Sequence, residues 1–262
     1  MSAVALPASD PAELARSLPA PAATLLVVDF DGTLSPIVDH PDAAAPEAGA
    51  VAALAALAAV TTVAVISGRP VDDVRERLED LPLVFAGGHG AEIVLPDGRR
   101  DSLVRPEEVT SVLDDAQSLV RDVLGDSPGW LVEPKATSLA VHHRLAPVDS
   151  VESLLPRVAA ILERCAEQPP GFHVLAGKAV VELRPDGVDK GAALSRIAAL
   201  WPTSRPLAIG DDVTDEDAFQ AATRLGGQAI LVSTDARPTA ATHRLTDPAA
   251  VVAFLTAYGQ RG

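Results

Sequence analysis

Short apolar runs alternate with helical segments in two blocks of the chain, and this alternation limits the possible folds more than any other feature. The first block has strand-like runs at 24–31, 61–67 and 83–88, with an Ala-rich helical stretch from about Pro46 and a second helical stretch at 71–79 between them. The second block places helical stretches at 189–201, 214–225 and 247–259 around strand-like runs at 206–212 and 228–233. Near-continuous apolar strands alternating with helices predict a doubly wound α/β fold, a parallel sheet with helices on both faces.

The segment between the two blocks has a different order. Helical periodicity at 107–124 is followed by two strands at 130–136 and 138–144, a helix at 150–166 and the hairpin-like run FHVLAGKAVVELR. We interpret it as an inserted α/β cap at 106–186, within a core formed by 1–105 and 187–262. DSLVRP and RPDGVD are the candidate hinges, and 1–23 is expected to be a loose leader with one short helix.

Carboxylates follow several strands of the predicted core. Asp29 and Asp31 lie at the end of the first strand, Ser67-Gly68-Arg69 at the end of the second, and Asp211-Asp212 at the end of a third. The carboxyl ends of parallel strands form the ligand-binding edge of such a sheet, so these groups are expected to lie together. Clustered carboxylates repel one another unless a cation is bound, and ligation by oxygen alone suits Mg²⁺. Asp29 and Asp31 alone could equally be turn residues, but three strand ends with polar groups favour a site.

Composition excludes several classes of partner. The chain has 262 residues, 21 Lys and Arg against 36 Asp and Glu, and a net charge of −15, so its surface repels nucleic acids and anionic lipids. The longest apolar tract is mostly Ala and is divided by Thr61 and Thr62, and no secretory signal precedes it, so no membrane partner is expected. A single cysteine fits a reducing, cytoplasmic location. Monomeric behaviour is weakly favoured.

Four motifs occur in an order that resembles the haloacid-dehalogenase-type phosphohydrolases. They are DFDGTLSPI at 29–37, VISGR at 65–69, GVDKG at 187–191 and GDDVTDED at 210–217. Three further segments are similar to trehalose-phosphate phosphatases: GGHGAE at 87–92, EPKATSLAVHHR at 133–144 and VVELRPDGVDKG at 180–191. The sequence departs from that family at His143, where an aromatic residue is usual. The resemblance covers nearly the whole chain.

The resemblance implies a role for each motif residue. Asp29 would be the nucleophile that forms an aspartyl-phosphate, and Asp31 the acid and base. Mg²⁺ would be held by Asp29, Asp31 and Asp211, with Asp212 and Asp215 as further ligands or orienting groups that the sequence does not rank. The phosphoryl group would be bound by Ser67, Gly68, Arg69 and Lys190. Simpler readings exist, since Ser67 could cap a helix, Lys190 could be a surface lysine and Arg69 could only pair with Asp72 or Asp73.

The cap residues favour a sugar phosphate as substrate. Strand alternation places Ser138, Ala140, His142 and Arg144 on one face of the cap, and Glu133 with Lys135, and Glu182 with Arg184, share faces of their own strands. This face is either a solvated surface with cross-strand ion pairs or a surface that binds sugar hydroxyls. The resemblance implies the second, with His89, Glu133, Lys135, His142, Arg144 and Glu182 as the substrate-binding residues.

The predicted function is Mg²⁺-dependent hydrolysis of trehalose 6-phosphate to trehalose and phosphate. A phosphatase for another phosphorylated disaccharide or glycoside would have the same fold. A phosphomutase would use the same nucleophile, and a silent sugar-phosphate sensor would lose a motif residue, although all of them are present. A dinucleotide-binding dehydrogenase is disfavoured because no G-x-G-x-x-G follows the first strand.

Overall fold

The structure is a computed structural model that describes residues 6–38, 40–168, 171–177 and 179–262. The strands and helices in chain order are α1 (Pro11–Ser17), β1 (Thr24–Val28), α2 (Ala50–Ala58), β2 (Thr62–Ile66), α3 (Val71–Arg77), β3 (Val84–Gly87), β4 (Glu92–Val94), β5 (Arg100–Ser102), α4 (Pro106–Leu124), β6 (Leu131–Pro134), β7 (Leu139–His142), α5 (Val148–Ala166), β8 (Phe172–Gly177), β9 (Val180–Pro185), α6 (Lys190–Ala198), β10 (Arg205–Gly210), α7 (Asp215–Arg224), β11 (Gln228–Val232), β12 (His243–Leu245) and α8 (Pro248–Gly259). They form two compact units, one ending at Ser102 and resuming at Asp189–Gly262, the other spanning Leu103–Val188.

The first unit, the core, is built on a mixed sheet with the strand order β12-β11-β10-β1-β2-β3-β4-β5. The strands from β12 to β3 pair in parallel, and β4 and β5 add an antiparallel edge. Every residue of β1 is buried, as expected for a central strand covered on both faces. The predicted doubly wound α/β class is confirmed.

Three details of the core differ from the sequence predictions. The sequence analysis did not identify β4, β5 or β12, which have three residues each and little apolar periodicity. Asp101 and Ser102 of the proposed entry hinge belong to β5, and the boundary between the two units follows directly after Ser102. The Ala-rich helix begins at Ala50 rather than near Pro46, because Gly49 turns the backbone with φ of +88° immediately before it.

The leader is not loose over its described residues. Leu14 and Ala15 of α1 are buried in the core, and the Arg261 side chain donates hydrogen bonds to the carbonyls of Ala15 and Leu18. The Tyr258 hydroxyl donates to the Pro19 carbonyl over 2.7 Å and lies 2.8 Å from the Thr24 hydroxyl. The leader contains the expected short helix, α1, but it is not loose, because Tyr258 of α8 and Arg261, which follows α8, donate hydrogen bonds to its backbone carbonyls.

The second unit, the cap, is a two-layer α/β structure. Its antiparallel sheet has the order β6-β7-β9-β8. Leu139, Val141, Val181 and Leu183 point to one face and form an apolar cluster with the buried residues of α4 and α5. Cys165 of α5 belongs to this cluster, and burial raises the pKa of its thiol. Among the described residues, no helix is both long and apolar enough to cross a lipid bilayer.

Replacing Tyr258 with Phe tests how firmly the leader is held. The hydroxyl is lost from a fully buried side chain, and its two partners lose a hydrogen bond each. We expect the free energy of unfolding to fall by about 1–2 kcal/mol in urea titrations.

A Thr24→Val variant and the Tyr258→Phe/Thr24→Val double variant provide the control. Because the two hydroxyls share one hydrogen bond, the double variant should lose less stability than the sum of the single variants. The hydrogen bond between the two hydroxyls would be contradicted if Tyr258→Phe were as stable as the wild type and the stability losses of the two single variants added fully in the double variant.

Candidate active site

The candidate site lies where β1, β2 and β10 end, and strand register explains why its residues meet. Val28, the last residue of β1, pairs with Ile209 of β10 and Val65 of β2. Asp29 continues from β1, and its backbone N–H donates to the Ile209 carbonyl over 2.9 Å. The parallel register thus brings the residues that follow all three strands to one edge of the sheet.

Three carboxylates form a tight cluster at this edge. Asp29, Asp211 and Asp215 each offer an oxygen, and these oxygens lie within 4.8 Å of one another. The Lys190 ammonium lies 2.8 Å from Asp29 and 2.6 Å from Asp215, and its side chain is only 4% exposed. Lys190 is the first residue of α6, where the helix dipole disfavours a cation, so these carboxylates must stabilise it there. The alternative of a surface lysine is wrong.

The charges of the cluster do not balance. Three carboxylates around one ammonium leave an excess of negative charge that one divalent cation would neutralise. Burial raises the pKa of Asp29 well above its ordinary value, with Lys190 opposing the shift and Asp215 and Asp211 adding to it. Burial, followed by repulsion from Asp215, raises the pKa of Asp211 to about 7. Burial by itself lowers the pKa of Lys190, but Asp215 and Asp29 outweigh it and raise that pKa above its usual value.

Asp212 and Asp215, which the sequence could not rank, have different surroundings. Asp215 is 2% exposed, and its Oδ2 accepts hydrogen bonds from the backbone N–H groups of Asp211 and Asp212 over 3.0 and 2.9 Å. Asp212 is exposed, lies outside the three-carboxylate cluster and accepts a hydrogen bond from the Val213 N–H. Asp215 therefore shapes the loop after β10, whereas Asp212 is an exposed residue of that loop.

Asp31 is held by Arg69 rather than by the carboxylate cluster. The guanidinium donates to both carboxylate oxygens of Asp31, over 2.7 and 2.8 Å. Arg69 also donates to Asp73 over 3.0 Å and to the Pro41 carbonyl over 3.0 Å, and it lies over the Phe30 ring. The alternative in which Arg69 only pairs with Asp72 or Asp73 is incomplete, because its bidentate partner is Asp31.

The loops after β2 and β3 hold each other in place. Ser67 is buried, and its hydroxyl accepts a hydrogen bond from the Arg69 N–H over 3.2 Å, so it does not cap α3. His89 has φ of +58°, and its N–H donates to the Ser67 carbonyl over 2.8 Å. A Cβ on Gly68 would lie 2.7 Å from Nε2 of His89, so the residue must be small for the imidazole to approach. The structure therefore brings Ser67, Gly68 and His89 together.

The proposed substrate-binding residues of the cap form two groups. Glu182 is buried and accepts hydrogen bonds from Ser138 and Arg184, each over 2.7 Å, with the Lys135 ammonium 3.5 Å away. Glu133 is half exposed and lies 2.8 Å from Nε2 of His142, and this hydrogen bond lowers the pKa of Glu133.

Arg144 does not share the strand face predicted for it. The strand β7 ends at His142, so Arg144 lies in the turn that follows and is exposed.

Two polar residues of the site were missed by the sequence analysis. The Thr33 hydroxyl donates to Asp211 over 3.3 Å, and Arg237 donates to the backbone carbonyls of Asp211 and Asp212. Thr33 lies within the first motif, and Arg237 follows β11, which ends at the same edge of the sheet. A search of the residues after every predicted core strand would have included Arg237.

The raised pKa of Asp211 predicts how the stability of the metal-free protein depends on pH. The folded protein keeps a proton that the unfolded chain, with an ordinary value of 3.8, releases. The free energy of unfolding should therefore decrease as pH rises from about 4 to about 7. We expect the melting temperature of the protein in EDTA to fall over this range, measured by differential scanning calorimetry.

Asp211→Asn is the control, because the amide cannot titrate and removes one repelling charge. Its melting temperature should fall less steeply between the same pH values. An equally steep fall would show that other groups cause the dependence.

Comparison with known proteins agrees with this site. A sequence model described as trehalose-phosphatase matches residues 27–249. The chain is 43% identical over 235 residues to a trehalose-phosphate phosphatase of Mycobacterium marinum and 42% identical over 237 residues to that of Mycolicibacterium paratuberculosis. Each match covers 86% of this chain and 59% of the relative, so the chain spans less than two thirds of the length of these curated relatives.

Solved structures share the fold. The C-terminal domain of Candida albicans trehalose-6-phosphate phosphatase superposes with a TM-score of 0.81 at 22% identity, covering 99% of both chains. Aspergillus fumigatus trehalose-6-phosphate phosphatase gives 0.70 at 27% identity, covering 98% of this chain and 100% of the other. A haloacid dehalogenase-like hydrolase from Bacteroides thetaiotaomicron gives 0.61 at 17% identity, covering 86% and 95%. The chain therefore belongs to the trehalose-phosphatase family and has the haloacid-dehalogenase-like fold.

Proposed function

We propose that this protein hydrolyses trehalose 6-phosphate to trehalose and inorganic phosphate. The observation that carries the proposal is the buried Lys190 between Asp29 and Asp215, with Asp211 beside them, at the edge where β1 and β10 end. It is supported by the family to which the chain belongs. An isolated acidic cluster could have many roles, but a cluster that contains a buried ammonium suits an anionic group and a cation together.

The residues of the cluster fit a Mg²⁺ ion. Asp29 and Asp211 supply carboxylate oxygens, and the excess negative charge around Lys190 matches a divalent cation. The Asp31 carbonyl completes the proposed protein ligands, whereas Asp215 orients the loop and the exposed Asp212 is not needed as a ligand. When bound, Mg²⁺ would neutralise charge on the phosphoryl oxygens and keep Asp29 deprotonated.

Asp29 would perform the first chemical step. Its carboxylate oxygen attacks phosphorus as the bond from phosphorus to the sugar oxygen breaks, and that oxygen leaves with a proton from Asp31. The Lys190 ammonium, which donates hydrogen bonds to Asp29 and Asp215, would offset their negative charges during the attack. Ser67, the Gly68 backbone and Lys190 would bind the phosphoryl oxygens.

Asp31 would then act as the base. It takes a proton from a water molecule that attacks the phosphorus of the aspartyl-phosphate, and Asp29 is regenerated as phosphate leaves. Arg69 holds Asp31 in the structure, and it also has Asp73 and the Pro41 carbonyl as acceptors. The guanidinium therefore keeps hydrogen-bond partners when Asp31 turns toward the substrate.

The cap residues would bind the sugar. We propose that Glu133, Lys135, His142 and Glu182 bind hydroxyl groups, with Arg144 and His89 as weaker candidates. The supporting observation is the polar sheet face opposite the apolar cluster, where Glu133 pairs across Ala140 with Glu182 in register. Carboxylates at this spacing suit a ligand with several neighbouring hydroxyl groups.

Replacing Asp29 with Asn tests the nucleophile. We expect phosphate release from trehalose 6-phosphate with Mg²⁺ to fall by at least about 10³-fold, because the amide cannot attack phosphorus. The variant should stay folded, since the change removes one charge from a crowded cluster. Wild-type protein in EDTA should also be inactive, and activity should return when Mg²⁺ is added.

An exposed acid away from the cluster, changed in Asp97→Asn, is the matched control and should retain activity. Phosphate release by a folded Asp29→Asn protein at the wild-type rate would rule out the covalent mechanism. If wild-type protein moved the phosphoryl group back to a sugar and released no phosphate, the protein would be a phosphomutase.

Replacing Glu133 with Ala tests substrate choice. Glu182→Ala is a poor test, because it would leave the buried Arg184 without its carboxylate partner. Glu133 is half exposed, and its removal breaks only the contact with His142 among the hydrogen bonds above. We expect kcat/KM for trehalose 6-phosphate to fall by about 10–10²-fold while hydrolysis of an aryl phosphate barely changes.

The matched control is Asp186→Ala, because Asp186 also pairs with a histidine, His173, at 3.0 Å in the cap. That variant should hydrolyse both substrates like the wild type. If Glu133→Ala lost activity equally on trehalose 6-phosphate and on the aryl phosphate, the change would be affecting the core site or the folding of the protein rather than sugar binding. If the wild-type protein hydrolysed glucose 6-phosphate as fast as trehalose 6-phosphate, the polar face of the cap would not be the source of substrate specificity.

A further inference from the structure

Arg237 joins the loop after β11 to the loop that carries Asp211. Its Nη2 donates hydrogen bonds to the backbone carbonyls of Asp211 and Asp212, over 3.1 and 3.0 Å. Its Nη1 donates to Glu216 over 2.8 Å. One guanidinium therefore contacts two consecutive peptide groups of the loop and the carboxylate of Glu216 in the first turn of α7.

Glu216 fixes the guanidinium from the other side. Its Oε1 accepts from Arg237, and its Oε2 accepts from the backbone N–H of Ala240 over 2.7 Å. The side chains of Arg237 and Glu216 are 27% and 18% exposed, so solvent reaches them only in part. The ion pair ties the segment after β11 to the start of α7.

In the loop after β10, both the backbone N–H groups and the backbone carbonyls of Asp211 and Asp212 are hydrogen-bonded to side chains. Asp215 accepts the N–H groups of Asp211 and Asp212, and Arg237 donates to their carbonyls. The Asp211 side chain is also confined, because a Cβ on Gly32 would lie 2.2 Å from its Oδ2 and Thr33 donates to its Oδ1. Small changes in this backbone would therefore move the Asp211 carboxylate relative to Asp29.

We propose that Arg237 is a positioning residue for the cation site, oriented by Glu216 and acting through the backbone of Asp211 and Asp212. This inference rests on the proposed function, because it assumes that Asp211 holds Mg²⁺. Its described hydrogen bonds go to Glu216 and to the backbone carbonyls of Asp211, Asp212 and Pro238, so its effect on the site would pass through these groups. Its planar guanidinium bonds the carbonyls and the carboxylate from separate nitrogens, a geometry that the single ammonium of lysine reproduces only in part.

The effect should appear in the affinity for Mg²⁺ rather than in the chemical step. Loss of groups that orient a metal ligand typically weakens metal binding by about 10–100-fold. Asp29, Asp31 and Lys190 have no hydrogen bond with Arg237 among those described, so catalysis with saturating Mg²⁺ should be little changed.

The experiment compares the wild-type protein with its Arg237→Ala and Arg237→Lys variants. Mg²⁺ binding is measured directly by isothermal titration calorimetry and by the shift in melting temperature that Mg²⁺ causes, and the Mg²⁺ dependence of phosphate release is measured separately. Arg237→Ala should raise the Kd for Mg²⁺ by about 10–100-fold, with kcat at saturating Mg²⁺ within about threefold of wild type. Arg237→Lys should be intermediate and remains informative if Arg237→Ala does not fold.

Arg244→Ala is the matched control. Arg244 also donates to backbone carbonyls, those of Leu6, Ser233 and Thr234, over 2.8, 2.8 and 2.9 Å. It should lower the melting temperature without changing the Kd for Mg²⁺. A merely structural role for Arg237 would give the same pattern as Arg244, with unchanged Mg²⁺ affinity in folded Arg237→Ala and Arg237→Lys, and would overturn the inference. Wild-type protein that neither binds Mg²⁺ nor needs it would instead overturn the proposed cation site and this inference with it.

Discussion

The buried ion pair between Lys190 and the carboxylates of Asp29 and Asp215 is the constraint on which the rest of the site depends. An isolated ammonium at 4% exposure would lose most of its charge stabilisation, and two isolated carboxylates would protonate. The two carboxylates raise the pKa of Lys190 above its usual value, which explains why a lysine is tolerated as the first residue of α6. The arrangement still carries excess negative charge, so the folded protein contains an electrostatic requirement that a divalent cation would satisfy.

The parallel sheet supplies the precision that this ion pair needs. Residues from β1 and β10 are fixed side by side by their hydrogen-bonded register, and α6 and α7 each begin with one of the interacting residues. Two glycines let the backbone approach the acids closely. A Cβ at Gly32 or Gly210 would lie 2.2 Å from the carboxyl group of Asp211 or Asp215, respectively. The acidic cluster therefore depends on backbone contacts that only glycine permits.

The cap has its own polar centre, which is organised differently from the core site. Glu182 is buried with Arg184 and Ser138, so much of its hydrogen-bonding capacity is used within the sheet. Glu133 and His142 form a more exposed pair on the same face. We expect the buried group to keep the sheet in one conformation and the exposed pair to respond to ligands. Variants of the two groups should therefore have different consequences, because only the first group is buried and hydrogen-bonded within the sheet.

The sequence by itself determined the α/β class, the family and the identity of the acids at the strand ends, because apolar periodicity and motif spacing are local properties of the chain. It also separated the two faces of the cap strands, where side chains alternate with a period of two. Only the tertiary structure ranked Asp215 over Asp212, paired Arg69 with Asp31 and brought Arg237 to the Asp211 loop. These contacts join residues from separate strands and loops, and their formation depends on strand register and on which backbone groups remain to be satisfied. Neither quantity can be read from the order of residues alone.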